Sequence, residues 1–204
     1  MDADEYVDLL RDCLEISSYF YKDGVFHGVD ATHTYMLIDN NPINEFELKT
    51  AVDYTINRMQ ELSFKIPVLD NAKTYVYLTL GDMKWIGTKK ISGEFPRFIL
   101  ARREDVSFIG FLSREDADAE NFQLKRRNMT GNNATSCYDS NLLGSIMTFL
   151  LKCGESTVSL SFNDTYPLSV KTGRFTVFLA PRLDEVLPKS FVVEDDPLSY
   201  EYDE

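Results

Sequence analysis

Two histidines, three cysteines and a few clustered carboxylates are the residues with which this chain could do chemistry. His27 and His33 stand in neither an HxH nor an HExxH setting, so no metal-binding pair at helical spacing is formed. Cys13, Cys137 and Cys153 are an odd number with no CxxC pair, which argues against a zinc site or a disulfide framework and for free buried thiols. Asp116, Asp118 and Glu120 resemble the start of a calcium loop, but the glycine and the closing glutamate are not at the required places. A solvated turn is the simpler reading. No GxGxxG, GxxxxGK[ST] or GxSxG occurs. The sequence therefore predicts no catalytic residue, no metal and no cofactor. Asn128, Asn133 and Asn163 match the glycosylation sequon, which carries no meaning in an intracellular protein. The densest basic run is Lys125-Arg126-Arg127. At strand spacing Lys125 and Arg127 share a face, suited either to nucleic acid or to guarding a sheet edge.

The elements that would position these residues follow from periodicity. Across 204 residues the chain is 44% hydrophobic and 26% charged, an ordinary soluble composition. The acidic opening Met-Asp-Ala-Asp-Glu reads as no signal peptide, and no apolar run is of membrane-spanning length, so an intracellular protein with no membrane partner is expected. A net charge of −12 argues against binding nucleic acid through phosphate neutralisation. Residues 186–204 set Lys189 against Glu194, Asp195, Asp196, Glu201, Asp203 and Glu204, an acidic tail that also holds Leu187, Phe191, Val192 and Val193.

Helical spacing marks Asp4–Ile16, with Asp4 as N-cap, then Glu45–Met59, Leu80–Ile91 and Asn141–Lys152. Strands are expected at Tyr19–Tyr21 and Val25–His27 around an Asp-Gly turn, and at Thr34–Ile38, Phe64–Leu69 and Thr74–Leu78. Further strands are expected at Arg97–Ala101, Val106–Leu112, Phe122–Arg127, Val158–Phe162 and Phe175–Leu179. Asn128–Thr135 reads as a polar surface loop. The class is α+β, with a repeated unit of one helix and several antiparallel strands.

Four stretches then resemble, in order, the DNA sliding clamps of the archaeal and eukaryotic proliferating-cell-nuclear-antigen type. They are Val158–Val170 with Gly173–Leu183, which carries a Pro-Leu step and Leu-Ala-Pro-Arg, then Asp23–Leu37, Phe64–Asp70 and Phe98–Ile109. The resemblance is divergent. Only 25 residues separate Ile38 from Phe64, so the first domain is shortened.

What the resemblance implies is a clamp fold with two similar domains, each with helices packed on antiparallel sheets. It assigns 1–66 to a shortened N-terminal domain, 67–73 to a connector, 74–185 to a C-terminal domain and 186–204 to the tail. It implies a non-enzymatic processivity factor, a homotrimeric ring around duplex DNA that tethers DNA polymerase and other clamp-binding proteins. DNA-facing candidates are Arg11, Arg58, Lys84, Lys89, Lys90 and Lys152, for which ordinary surface charges are the alternative. The lysines do not fall on one helical stripe. Carried over by position, a partner-peptide pocket would comprise His33, Thr34, Met36, Val68, Leu69, Pro167, Phe178, Ala180 and Pro181. For Met36 and Phe178 a plain core role is the alternative. The tail is a candidate cover for that pocket through Phe191. Two other functions stay open: a monomeric clamp-like adaptor that does not encircle DNA, and an unrelated α+β enzyme.

Overall fold

Asp2, in extended conformation, accepts a hydrogen bond from the Glu5 backbone N–H at 2.8 Å and starts helix α1 (Ala3–Leu14). The N-cap thus falls two residues before the expected Asp4, which lies in the first turn, where a carboxylate favours the helix N-terminus. The computed structural model describes residues 2–32, 34–40, 50, 56–59, 74–89, 97–104, 106–112 and 123–182. After α1 come β1 (Ile16–Lys22), β2 (Val25–Asp30) and β3 (Tyr35–Asp39), an antiparallel meander. Asp23 and Gly24, at φ 51° and 79°, supply the two left-handed residues that a two-residue hairpin turn needs.

The helix expected through Met59 is corrected at its end. Asn57–Arg58 is a short strand, β4, parallel to β1, and the Met59 N–H donates to the Tyr19 carbonyl at 2.9 Å. Pairing to the open edge of β1 outweighs a weak helical pattern there. Residues 45–49 and 51–55 of that helix lie outside the described residues, as do the expected strand Phe64–Leu69 and the connector.

The chain continues with β5 (Thr74–Leu78), α2 (Leu80–Thr88), β6 (Arg97–Arg102), β7 (Ser107–Leu112), β8 (Gln123–Arg126), β9 (Met129–Gly131) and β10 (Ala134–Asp139). It ends with α3 (Ser140–Lys152), β11 (Val158–Phe162), β12 (Leu168–Lys171) and β13 (Phe175–Leu179). The expected loop Asn128–Thr135 holds β9 and the start of β10. Thr130, Asn132 and Asn133 are exposed and gave it a loop's polarity, yet Met129 and Ala134 face the core.

Three times, then, a helix is followed by three antiparallel strands: α1 with β1–β3, α2 with β6–β8, and α3 with β11–β13. Two units have a leading strand, β5 before α2 and β10 before α3, and each leading strand pairs into the other unit, β5 with β11 and β10 with β6. The result is a nine-stranded sheet, β4-β1-β2-β3-β13-β12-β11-β5-β9, and a four-stranded one, β10-β6-β7-β8. With the three helices described above packed on these sheets the class is α+β.

Alternation fixes which face is covered. Phe26, Leu37, Val177, Val170, Leu160 and Val76 point from the large sheet towards the helices, where Tyr6, Leu10, Met83, Ile146 and Phe149 complete one core. At the edge of that core a buried carboxylate is paired with a half-buried arginine. Arg174, in the β12–β13 turn, donates from Nε and Nη2 to the two Asp39 oxygens at 2.9 and 2.6 Å, and the Tyr6 hydroxyl donates to Asp39 at 2.8 Å. The guanidinium also lies over the rings of Tyr6 and Phe175, 5.2 and 4.6 Å from their centroids. Helix α1, the end of β3 and the β12–β13 hairpin meet at this point.

Truncating one partner of a buried pair leaves the other charge uncompensated. Arg174→Ala is expected to lower unfolding free energy by about 3–5 kcal/mol in urea titration. The double variant Asp39→Leu/Arg174→Met should be much less damaging than Arg174→Ala. Nearby, burial pushes the Cys153 thiol up to about 12 against the opposing pull of Arg174. At pH 8 its reaction with a disulfide reagent should be roughly a thousandfold slower than in the unfolded chain, as follows from about three fewer decades of thiolate. Equal rates would show that the thiol is not desolvated.

Candidate functional site

Two surfaces gather the predicted site residues. On one side α1, α3 and α2 lie side by side, with α3 in the middle. The α2–α3 crossing is close because it uses glycine. A Cβ on Gly87 would stand 3.1 Å from Thr148 Oγ1, and one on Gly144 would stand 3.3 Å from the Ile86 carbonyl oxygen. Thr148 Oγ1 meets the Gly87 and Gly144 carbonyls at 3.2 and 2.9 Å. Gly87 weakens the isolated helix by about 1 kcal/mol relative to alanine, and this contact offsets that cost.

Four predicted DNA-facing residues belong to this helical layer. Lys84 and Lys152 are exposed, Lys89 is half-buried just past α2, and Arg11 is exposed beside Asp8 at 3.7 Å. Lys152 Nζ lies 3.7 Å from Cys13 Sγ, at the α1–α3 contact. Arg58 does not belong here; it is exposed on β4 at the margin of the large sheet. Lys90 lies outside the described residues. Helix α1 also exposes Asp4, Glu5, Asp8 and Asp12, so cations mark α2 and α3 while carboxylates dominate α1.

The basic run on β8 divides as strand spacing requires. Lys125 Nζ sits 4.6 Å from the Trp85 ring centroid of α2. Arg127 binds Asp82 through Nε at 3.1 Å and also through Nη2. Asp82 itself closes the capping box of α2 with Thr79. Lys125 and Arg127 therefore fasten β8 to a helix, and Arg126 points the other way.

The opposite, outer face of the large sheet carries the second surface. One cross-strand row runs Tyr75, Ser161, Ser169, Phe178, Met36, Val29, Ser18; the next runs Tyr77, Ser159, Lys171, Thr176, Ile38, His27, Phe20. Hydroxyls occupy one end and apolar side chains the other. Phe178 and Met36 stand directly opposite and bury with Phe20 and Val29, with Ile38 and Met59 at the margin. His27 stacks on Phe20 at 4.6 Å and its Nδ1 lies 3.0 Å from the Val25 carbonyl oxygen, which makes it a packing residue. Among the described residues no group of three or more His, Cys, Asp or Glu could hold a metal ion. No described helix is long and apolar enough to cross a membrane.

Beyond the strand ends the Ala180 N–H donates to the Thr34 carbonyl at 2.8 Å, and the ladder step after Leu168–Leu179 brings Pro167 opposite Ala180. Thr34, Met36, Pro167, Phe178 and Ala180 thus gather at one end of the β3–β13–β12 seam, and Pro181 follows, half-buried. His33, Val68 and Leu69 lie outside the described residues. Sequence reasoning missed Asp30. Its buried carboxylate accepts from the Tyr35 and Thr32 N–H groups at 2.9 and 3.2 Å and from the Thr32 hydroxyl, folding the loop that carries Thr34. Asp followed two residues later by Thr was the available signal.

A layer of helices backed by antiparallel sheets, built from a repeated helix and three strands, defines a sliding-clamp fold. Comparison with solved structures gives the same class. The chain superposes on proliferating cellular nuclear antigen from Entamoeba histolytica with a TM-score of 0.59 at 12% identity, covering 89% of this chain and 96% of that one. The PCNA2–PCNA3 complex from Sulfolobus tokodaii gives 0.56 at 14%, with 89% and 97% covered. The DNA polymerase III beta subunit from Pseudomonas aeruginosa gives 0.60 at 9%, and there the match covers 90% of this chain but 65% of the longer subunit. No protein-family model matches the sequence, and no curated protein matches it.

Phe178 is 8% exposed, so its ring is part of a core as well as a pocket candidate. Phe178→Ala is expected to lower stability by roughly 3 kcal/mol in urea. A loss below about 1 kcal/mol would place the ring in an accessible pocket.

Proposed function

We propose that the chain is a sliding-clamp subunit, a non-enzymatic processivity factor that encircles duplex DNA as a homotrimer and tethers DNA polymerase and other partners. The observation that carries this reading is the helical layer, with Lys84, Lys89, Lys152 and Arg11 on it and continuous sheets behind it. A ring holds DNA by topology. It needs neither strong phosphate contacts nor a positive total, which accommodates a net charge of −12. In this reading 1–66 and 74–185 act as two clamp domains joined by the connector 67–73, inside the cell. Edge strands of neighbouring subunits pair to close the ring, which removes exposed edges. The partner pocket is the seam of Thr34, Met36, Pro167, Phe178, Ala180 and Pro181, with His33, Val68 and Leu69 completing it.

The carboxylates Asp4, Glu5, Asp8 and Asp12 on α1 favour a second reading. A duplex lying along α1 would meet negative charge, whereas a monomeric adaptor that binds proteins without enclosing DNA would not.

Light scattering combined with loading onto circular DNA separates the two. The clamp reading expects a trimeric mass and polymerase products lengthened by the loaded protein. A concentration-independent monomer with no effect on processivity would overturn it. For the pocket, Ala180 is exposed at the seam, so Ala180→Arg is expected to weaken a captured partner peptide at least tenfold with an unchanged urea midpoint. Unchanged peptide affinity would remove this seam as the docking site.

A further inference from the structure

Three nucleophiles meet where the C-terminal ends of α1 and α3 come together. Cys13 lies in the last turn of α1, Lys152 closes α3, and Cys153 follows as its C-cap. Lys152 Nζ stands 3.7 Å from Cys13 Sγ across a sequence separation of 139 residues, in a contact open to solvent. Both cysteines are half-buried against the edge of the main core, which seats them on either side of the helix contact. The partner that Lys152 takes is informative. Helix α1 exposes Asp8, Asp12 and, at its C-cap, Glu15, yet among the described residues the only polar contact of Lys152 is the thiol. Two helix C-termini, each a partial negative charge, converge here, which favours a lysine at this place without a carboxylate.

The other two thiols are poorly suited to the same chemistry. Cys137 is buried in the core of the small sheet. The Cys153 thiol, pushed up to about 12 by burial, with charge on Cys13 acting in the same direction, holds almost no thiolate at neutral pH. An oxidised Cys13 therefore has the Lys152 amine in contact and no second thiolate to compete for it.

We propose that Cys13 and Lys152 form a peroxide-dependent cross-linking site between α1 and α3. A hydroperoxide takes two electrons from Cys13 Sγ, its O–O bond breaks, and a sulfenic acid forms with release of an alcohol or water. The lone pair of the neutral Lys152 amine then attacks the electrophilic sulfur. The S–O bond breaks, the departing hydroxide takes a proton from nitrogen, and an S–N bond and one water result. Sulfenic acids condense with backbone nitrogen in the same way. The flexible four-carbon stem of the lysine supplies the approach from 3.7 Å to bonding distance. The product fastens α1 to α3 and removes one positive charge from the helical layer. It depends on neither reading of the function.

The test treats the full chain with hydrogen peroxide in mildly alkaline buffer, removes the peroxide with catalase, and maps the protein by mass spectrometry after alkylation and digestion. A linked pair of peptides, one holding Cys13 and one holding Lys152, is expected at their summed mass less two hydrogens. The link should disappear on reduction, and it should persist on dilution and in Cys153→Ser. Lys152 is exposed, so Lys152→Arg is expected to keep the urea midpoint while removing the amine. In that variant the sulfenic acid should accumulate and label with dimedone about fivefold or more above the unsubstituted chain. A Cys13–Cys153 disulfide in place of this link, its loss in Cys153→Ser, or a link between two copies would overturn the proposal. So would equal dimedone labelling in Lys152→Arg, or a Cys13 that peroxide leaves reduced.

Discussion

The bidentate contact between Arg174 and Asp39 is the constraint on which the arrangement turns. Two meanders, β1–β3 and β11–β13, have no reason of their own to join edge to edge. Apolar alternation forbids a one-residue slip but tolerates a slip of two, so that choice of register at the seam is left to local chemistry. A two-residue slip would separate the guanidinium from the carboxylate inside a core, at a cost far above that of a surface charge. The Tyr6 hydroxyl extends the same discrimination to α1. Burial, and then the Asp39 carboxylate, raises the Tyr6 phenol well above its ordinary value, so it remains a neutral donor. One carboxylate thereby specifies the seam between halves and the seat of the first helix.

The helical layer depends on that seat. Because α1 is placed by Tyr6 and α2 by the Asp82–Arg127 pair, the two outer helices are each clamped to a strand while α3 packs between them through Gly144 and Thr148. The exposed charges then fall where the packing leaves them: lysines on α2 and α3, carboxylates on α1. That uneven charge is what separates the two proposed readings: in a clamp it would set how a duplex sits and not whether it is held, and in an adaptor it meets no duplex at all.

Much of this was legible in the sequence because alternation and helical spacing are local. Val158–Phe162, Phe175–Leu179 and Asn141–Lys152 declare their faces residue by residue. Strand β10 did not, since Ala134-Thr-Ser-Cys-Tyr-Asp puts polar Ser136 on the buried side with Ala134 and Tyr138 and buries Cys137 between Thr135 and Asp139 on the other, which blurs the period. The short strands β4 and β9 exist through their partners. The pairs Arg174–Asp39, Arg127–Asp82 and Arg182–Asp139 join residues 135, 45 and 43 apart, and each charge alone looked like a solvated one. Met36 and Phe178 were grouped by resemblance to a clamp, and cross-strand register shows why they meet. Arg58 was misplaced because the sequence spacing that suggested a helix was weaker than an open strand edge.

The exchange of leading strands bears on how the chain is made. Strand β5 leaves the ribosome long before β11, its partner within the large sheet, and β3 waits longer still for β13. No unit of helix and three strands can bury its edges when it first emerges, so acquisition of structure during synthesis cannot proceed unit by unit. The nascent protein must carry exposed apolar strands until β13 has been translated. Its dependence on chaperones should therefore be governed by the speed of elongation between β3 and β13.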